Sequence, residues 1–149
     1  MFAKVTFAAL LSVMAVPAMA AQCDVTIEGN DAMQFNTKEF VVDTANCEEF
    51  TVNLVHTGKL PKAAMGHNVV ITKAADKKSV ADAATKAGPA NDYLQPDDDK
   101  VIAHTKMIGG GEKDSVTFKT AGLEAGGDYD FFCSFPGHWA IMSGKVVVK

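Results

Sequence analysis

Residues 133–142 read CSFPGHWAIM. This stretch offers a thiol at Cys133, an imidazole at His138 and a thioether at Met142. Pro136-Gly137 turns the chain and can bring His138 back toward Cys133. Met142, four residues beyond His138, can approach the same point. A second imidazole, His67, follows Met65-Gly66 and opens the run Asn68-Val69-Val70-Ile71, where a strand would fix it. One thiolate, two imidazoles and a thioether suit a soft, redox-active ion. A His₂Cys plane with a weak axial Met is the donor set of a blue copper site. Zinc is the rival, but structural zinc takes four strong ligands, commonly with close Cys pairs. Gly66 lacks a Cβ and would let the backbone approach the ion, its carbonyl making a second weak axial contact. Asn68 would hold the loop from outside by side-chain hydrogen bonds. Singly, such a Cys or Met is more often a core hydrophobe, and such a His a satisfied polar residue. The conjunction carries the reading.

The cysteine count supports it. The chain has three cysteines. Residues 1–4 are short and positive, 5–16 are apolar, and Pro17 precedes a small-residue site at Ala18-Met19-Ala20. This pattern predicts a secretory signal over 1–20, cleaved after Ala20. The apolar run is shorter than the roughly 20 residues that a membrane-spanning helix needs. Export brings an oxidising compartment, in which two of the three cysteines pair. Cys23 and Cys47 lie in separate segments near the start of the remaining chain. Pairing them leaves Cys133 as a thiol that a metal would occupy.

The elements that must position these donors are mostly strands. Alternation over 50–56 marks a half-buried strand. Further strands are expected at 24–27, 68–72, 101–107, 116–119, 129–133 and 145–148, with Gly, Pro, Asn and Asp clusters between them. Short strands with turn signals predict an all-β sandwich or barrel, rich in antiparallel pairs. Residues 76–87 (DKKSVADAATKA) differ. They are Ala-rich and stop at Gly88-Pro89, which predicts one short inserted helix, a flap over one edge of the sandwich.

Composition excludes several functions. The chain has 149 residues, a one-domain length, and a formal net charge of −4, one unit more negative once Lys4 is removed. It contains no Arg, so it lacks the forked donors used on phosphates and bases, and no nucleic-acid partner is expected. No catalytic triad or second metal cluster accompanies the donor loop, which argues against an enzyme. A copper carrier would show several exposed Met or paired Cys, whereas this chain has one closed constellation. His56 shares the apolar face of Phe50, Val52 and Leu54, and reads as a buried, hydrogen-bonded histidine. His104, in a Lys-flanked strand, reads as a surface residue.

From Ala21-Gln22-Cys23 to Lys149, the chain resembles the azurin family of cupredoxins, the type 1 blue copper proteins. The segments that carry the resemblance include Met33-Gln34-Phe35-Asn36-Thr37, Met65-Gly66-His67-Asn68, Val101-Ile102-Ala103-His104-Thr105-Lys106, Gly111-Glu112-Lys113-Asp114-Ser115 and Phe131-Phe132-Cys133 through Met142. The resemblance implies an eight-stranded Greek-key β-sandwich over 21–149. It implies copper held by His67, Cys133, His138 and Met142 with the Gly66 carbonyl, and a Cys23–Cys47 disulfide. It also implies an outer amide at Asn68 and a Phe135 N–H donated to the Cys133 sulfur. The function implied is one-electron transfer, Cu(II) to Cu(I) and back, by a monomer in the bacterial periplasm. Redox partners would be c-type cytochromes, copper nitrite reductase or amine dehydrogenases. They would dock on an apolar patch of Met33, Leu60, Ala64, Met65, Pro136, Gly137 and Trp139 around the edge of His138. The chain departs from many azurins at Val69, where they carry a buried Trp. Its only Trp is Trp139, beside His138.

Overall fold

A computed structural model of the protein describes residues 20–149. Apart from Ala20, the expected export signal lies outside the described residues. Eight strands run in chain order: β1 (Asp24–Gly29), β2 (Glu39–Val42), β3 (Glu49–His56), β4 (Val70–Lys73), β5 (Val101–His104), β6 (Lys113–Lys119), β7 (Tyr129–Phe132) and β8 (Ser143–Val148). Two helices, α1 (Lys62–Met65) and α2 (Lys77–Ala87), interrupt them. β1, β3 and β6 form one sheet, and β2, β8, β7, β4 and β5 the other, in those orders. β5 also packs beside β6 across the sheets. Strands β4, β5 and β6 are thus successive neighbours and β7 returns beside β4, which is Greek-key order. Four strand pairs are antiparallel, while β1–β3 and β2–β8 are parallel.

The sequence patterns explain the layers. In β3, Phe50, Val52, Leu54 and His56 point inward and are buried, while the residues between them face partly outward, the period of two that a one-sided sheet demands. The core joins them to Ile27, Phe40, Val42, Ile71 and Phe131. Phe40 stacks on Phe50 at 5.8 Å and tilts against Phe131 at 5.2 Å. Removing a ring such as that of Phe131 costs about 3–5 kcal/mol.

All four residues of β7 are buried, as are three of the four in β4. Their second cover is α2. It buries Val80, Ala81 and Ala84 in a cluster with Val70, Leu94 and Phe132. The expected edge flap is therefore corrected: the helix covers the outer face of the inner strands β4 and β7, because both present apolar side chains on two sides. Gly88 ends the helix at φ +73°, a positive value that suits glycine, and donates its N–H to the Ala84 carbonyl.

Other boundaries also moved. The strand expected at 101–107 ends at His104, and the chain then pairs irregularly through a single bridge between His67 and Ile108. β2 was not foreseen. Its four residues are too few for alternation to stand out, and pairing with β8 makes them a strand. Cys23 and Cys47 form a disulfide, their Cα atoms 5.6 Å apart. Among the described residues no helix is long and apolar enough to cross a membrane.

Candidate metal centre

Strand registers bring the donors together. Val70 of β4 lies opposite Phe132 of β7. Two steps beyond both strands, Asn68 faces Ser134, and the pair is closed by two hydrogen bonds. The Asn68 Nδ2 donates to Ser134 Oγ at 2.8 Å, and the Ser134 N–H donates to Asn68 Oδ1 at 2.8 Å. On the other side of β7, Phe132 faces Ser143 of β8. One step further, the Cys133 N–H donates to the Met142 carbonyl at 3.0 Å. The segment between them is a compact coil. His138 N–H donates to Phe135 O at 3.0 Å, and Met142 N–H to His138 O at 2.8 Å. Gly137 takes φ +84°, a left-handed conformation that suits glycine. His67 is fixed separately by reciprocal backbone bonds with Ile108, at 3.0 and 2.9 Å.

The result is a buried triad. One donor atom each from His67, Cys133 and His138 lies within 4.8 Å of the others. Cys133 Sγ is 3.9 Å from His67 Nδ1 and 3.6 Å from His138 Nδ1. Imidazole nitrogens and thiolates bind first-row ions at about 2.0–2.3 Å, so neighbouring donors around a tetrahedral or trigonal ion lie about 3.6–3.8 Å apart. The spacing fits such an ion. The Gly66 carbonyl lies 3.7 Å from the same sulfur. Met142 is fully buried in the same core cluster as Cys133. A thioether among the candidate donors favours copper over zinc.

Hydrogen bonds and burial set the protonation states. The His67 Nε2–H donates to the Asn30 carbonyl at 2.8 Å, which leaves the Nδ1 lone pair facing Cys133. Burial pushes the His67 pKa down, against the Asn30 bond that raises it. Burial also pushes His138 down to about 4, helped by His67. Both rings are therefore neutral donors at pH 7. The Cys133 thiol is pushed up to about 12 by burial, offset in part by the backbone N–H groups of Asn68 and Phe135. Both N–H groups favour the anionic form of the sulfur. A cation would supply the remaining stabilisation and displace the proton.

Three neighbours of the triad were not foreseen. The first is Gly29: a Cβ there would lie 2.7 Å from the His67 ring, so this glycine makes room for the imidazole. The second is the Asn30 carbonyl, which selects the His67 tautomer. The third is Ser134, the partner of Asn68. No local pattern announces them, because each acts through a residue far away in sequence. His56 is buried and hydrogen-bonded, as its place on the apolar face of β3 predicts. Its Nε2–H donates to Met65 O at 2.7 Å and its Nδ1 accepts the Gly58 N–H at 3.1 Å. It also stacks on His67 at 4.3 Å. His104 is exposed.

Gly66 has a packing reason as well. A Cβ there would lie 2.7 Å from the Lys62 carbonyl and 2.9 Å from the Met107 sulfur. The glycine is needed for packing against α1 and Met107, while its carbonyl alone faces Cys133.

The expected docking residues occupy the loops at this end. Leu60 is 41% exposed, Ala64 and Gly137 are exposed, and Met33, Met65 and Pro136 are half-buried. Trp139 is half-buried and packs against the α2 cluster, so it flanks the others. His138 retains 3% exposure, whereas Cys133, His67 and Met142 retain none. Only His138 opens the site to solvent. Its ring touches Phe135 at a centroid distance of 4.6 Å.

Comparison with known proteins agrees with this geometry. Residues 21–149 match the model of the copper binding proteins of the plastocyanin/azurin family. The chain is 64% identical to the azurin of Alcaligenes faecalis over 124 residues, covering 83% of this chain and 96% of that one. It is 58% identical to the azurin of Achromobacter denitrificans over 98% of this chain and 97% of the relative. Against the azurin of Pseudomonas aeruginosa it is 52% identical over the full length of both.

Proposed function

The chain belongs to the plastocyanin/azurin family of copper-binding proteins, and from that premise we propose how it carries single electrons. His67, Cys133, His138 and Met142, with the Gly66 carbonyl, would hold one copper ion. When bound, copper supplies a Cu(II)/Cu(I) couple. The observation that carries this reading is the convergence of three buried donors within 4.8 Å.

The chain's own residues do the rest. His67 and His138 present lone pairs without first losing protons. Cys133 gives up its proton, and the N–H groups of Asn68 and Phe135 stabilise the resulting thiolate. The Asn68–Ser134 pair ties the start of β4 to the end of β7, which would hold the donors in place around the ion. Burial of Cys133, His67 and Met142 excludes water, and a dry shell tunes the potential. His138, the one side-chain donor not wholly buried, is the electron port. Met33, Leu60, Ala64, Met65, Pro136 and Gly137 form the apolar docking face around it, with Trp139 at its flank. Small apolar faces suit transient encounters between redox proteins. c-type cytochromes, copper nitrite reductase and amine dehydrogenases are the candidate partners of a monomeric carrier. The signal pattern over 1–20 supports export, and a periplasmic location accords with the family.

Adding copper(II) to the metal-free protein tests the reading. An intense blue colour and reversible one-electron voltammetry are expected. A colourless complex, or release of copper on reduction, would overturn electron transfer in favour of copper carriage.

A further inference from the structure

The metal end of this acidic chain carries a set of lysines. Lys38, Lys59 and Lys62 are all exposed. None forms an ion pair among the described residues. Each of the three is tied to a loop of the metal end. The Lys38 Nζ donates to the Ile141 carbonyl at 3.2 Å, inside the donor loop. The Lys59 N–H donates to Asp31 Oδ2 at 2.8 Å, and Leu60 follows it. Lys62 opens α1, which runs into Gly66. The same segments carry Leu60 and Ile141, 41% and 53% exposed, two of the three large hydrophobic side chains that the described fold leaves in solvent.

Two carboxylates lie in the same loops, and since a backbone N–H does not neutralise them they offset part, but not all, of the three lysine charges. Asp31 accepts the N–H groups of Lys59 and Leu60, and Glu112 accepts the Gly109 N–H at 2.6 Å. The acidic run Asp97-Asp98-Asp99 follows Leu94 in the α2 cluster, on the Trp139 flank. The face is therefore asymmetric: cationic on the side of Leu60 and Ile141, acidic beyond Trp139.

We propose that this face selects a redox partner whose own port is apolar and edged by Asp and Glu, which dock against Lys38, Lys59 and Lys62 over Leu60 and Ile141. The inference rests on the electron-carrier reading and adds the partner's chemistry to it. Opposite charges at the rim raise encounter rates and orient the pair. At 0.1 M salt the screening length is about 10 Å. The acidic far end then drops out, and the local rim decides the sign.

Hexacyanoferrate(III), a compact anion, is the probe for that rim. It takes one electron from the Cu(I) protein, giving Cu(II) protein and hexacyanoferrate(II). A chain that acts through its net charge repels this anion, so its rate rises with salt. A cationic rim attracts it, so between 0.1 and 0.5 M salt the rate falls. The variant K59E/K62E should lower the rate about fivefold at 0.1 M and raise that of cationic tris(phenanthroline)cobalt(III). The charge-matched control K119E/K149E, at the disulfide end, should change both less than about twofold. Equal effects from the two variants would overturn the proposal. A second readout does not need copper. Redox-inert, paramagnetic hexacyanochromate(III) should broaden the amide signals of Lys59, Leu60, Lys62 and Ile141 in the metal-free protein. Broadening centred elsewhere, or none, would also overturn it. Irreversible voltammetry at an electrode would sink the carrier reading alone, since the broadening map still locates the rim.

Discussion

β3 joins two unlike ends of the molecule. It begins at Glu49, two residues after Cys47, and finishes at His56, stacked on His67. At the first end a covalent bond ties Cys23 to Cys47 across 24 residues of sequence. It stabilises mainly by restricting the unfolded chain, by about 3 kcal/mol for a loop of this length. At the other end the fold buries three imidazoles, a thiol, Asn68 and Ser134. Burying polar groups costs free energy unless each is bonded. Hydrogen bonds offset that cost for His56, His67 and Asn68. For Cys133 they do so only in part, and its thiol is pushed up to about 12. One end is stable in itself, while the other is built to be completed by a cation.

The two ends should therefore fail differently. The largest effect is expected at Cys133. Copper at a thousand times its Kd should raise stability by about 4 kcal/mol, and Cys133→Ser should abolish both this gain and the blue colour. Replacing Cys23 and Cys47 by Ser should cost about 3 kcal/mol with or without copper and leave the colour intact. Paired thermal melts with a visible spectrum decide. A bleached disulfide variant would break the distinction.

Acidity should separate the ends next. Binding copper releases the Cys133 proton, so apparent affinity should rise about tenfold per pH unit from 6.5 to 8. A competition titration reads this, and a flat profile would mean that the thiol is already ionised. The metal-free protein has a second dependence. His138 takes up its proton near pH 4 when folded, against about 6.5 when unfolded. The unfolded chain thus binds more protons in this window, and stability should fall as pH drops from 6.5 to 4. Urea midpoints at both pH values check the sign.

Smaller effects should come from the neighbours. Asn68→Ala leaves the buried Ser134 N–H unpaired and should cost about 1–3 kcal/mol in denaturant melts, with a shifted copper spectrum. Gly29→Ala drives a methyl group into the His67 ring. It should weaken copper binding about 10–100-fold, with a smaller loss of metal-free stability. The reverse ranking would mean that Gly29 serves the core and not the donor. The smallest effect belongs to neither end. The Lys78–Asp82 pair on α2 is exposed on both partners, so Lys78→Ala should change stability by no more than about 0.5 kcal/mol.

Much of this architecture was legible in the residues. Alternation in 50–56 marked β3, and the Ala-rich run ending at Gly88-Pro89 marked α2. An odd cysteine beside a His and a Met marked the donor loop. These signals are local, and their periods and spacings survive without tertiary context. β2 was not legible, because four residues carry too little pattern. Nor was the place of α2 on a sheet face, which depends on β4 and β7 being apolar on both sides.

The sequence by itself determined which donors are present and that they are soft, because side-chain chemistry belongs to the residue. It also determined that the cysteine count is odd, so that one thiol remains once two have paired. Only the tertiary structure decided their arrangement. The registers of β4, β7 and β8 place Asn68 across from Ser134 and Cys133 across from Met142. The single bridge to Ile108 holds His67 where its Nδ1 meets the sulfur. Protonation was decided there too, since burial and the Asn30 carbonyl leave His67 and His138 neutral and the Cys133 proton waiting on a cation. Distances between residues remote in the chain follow from packing, and packing is a property of the whole fold.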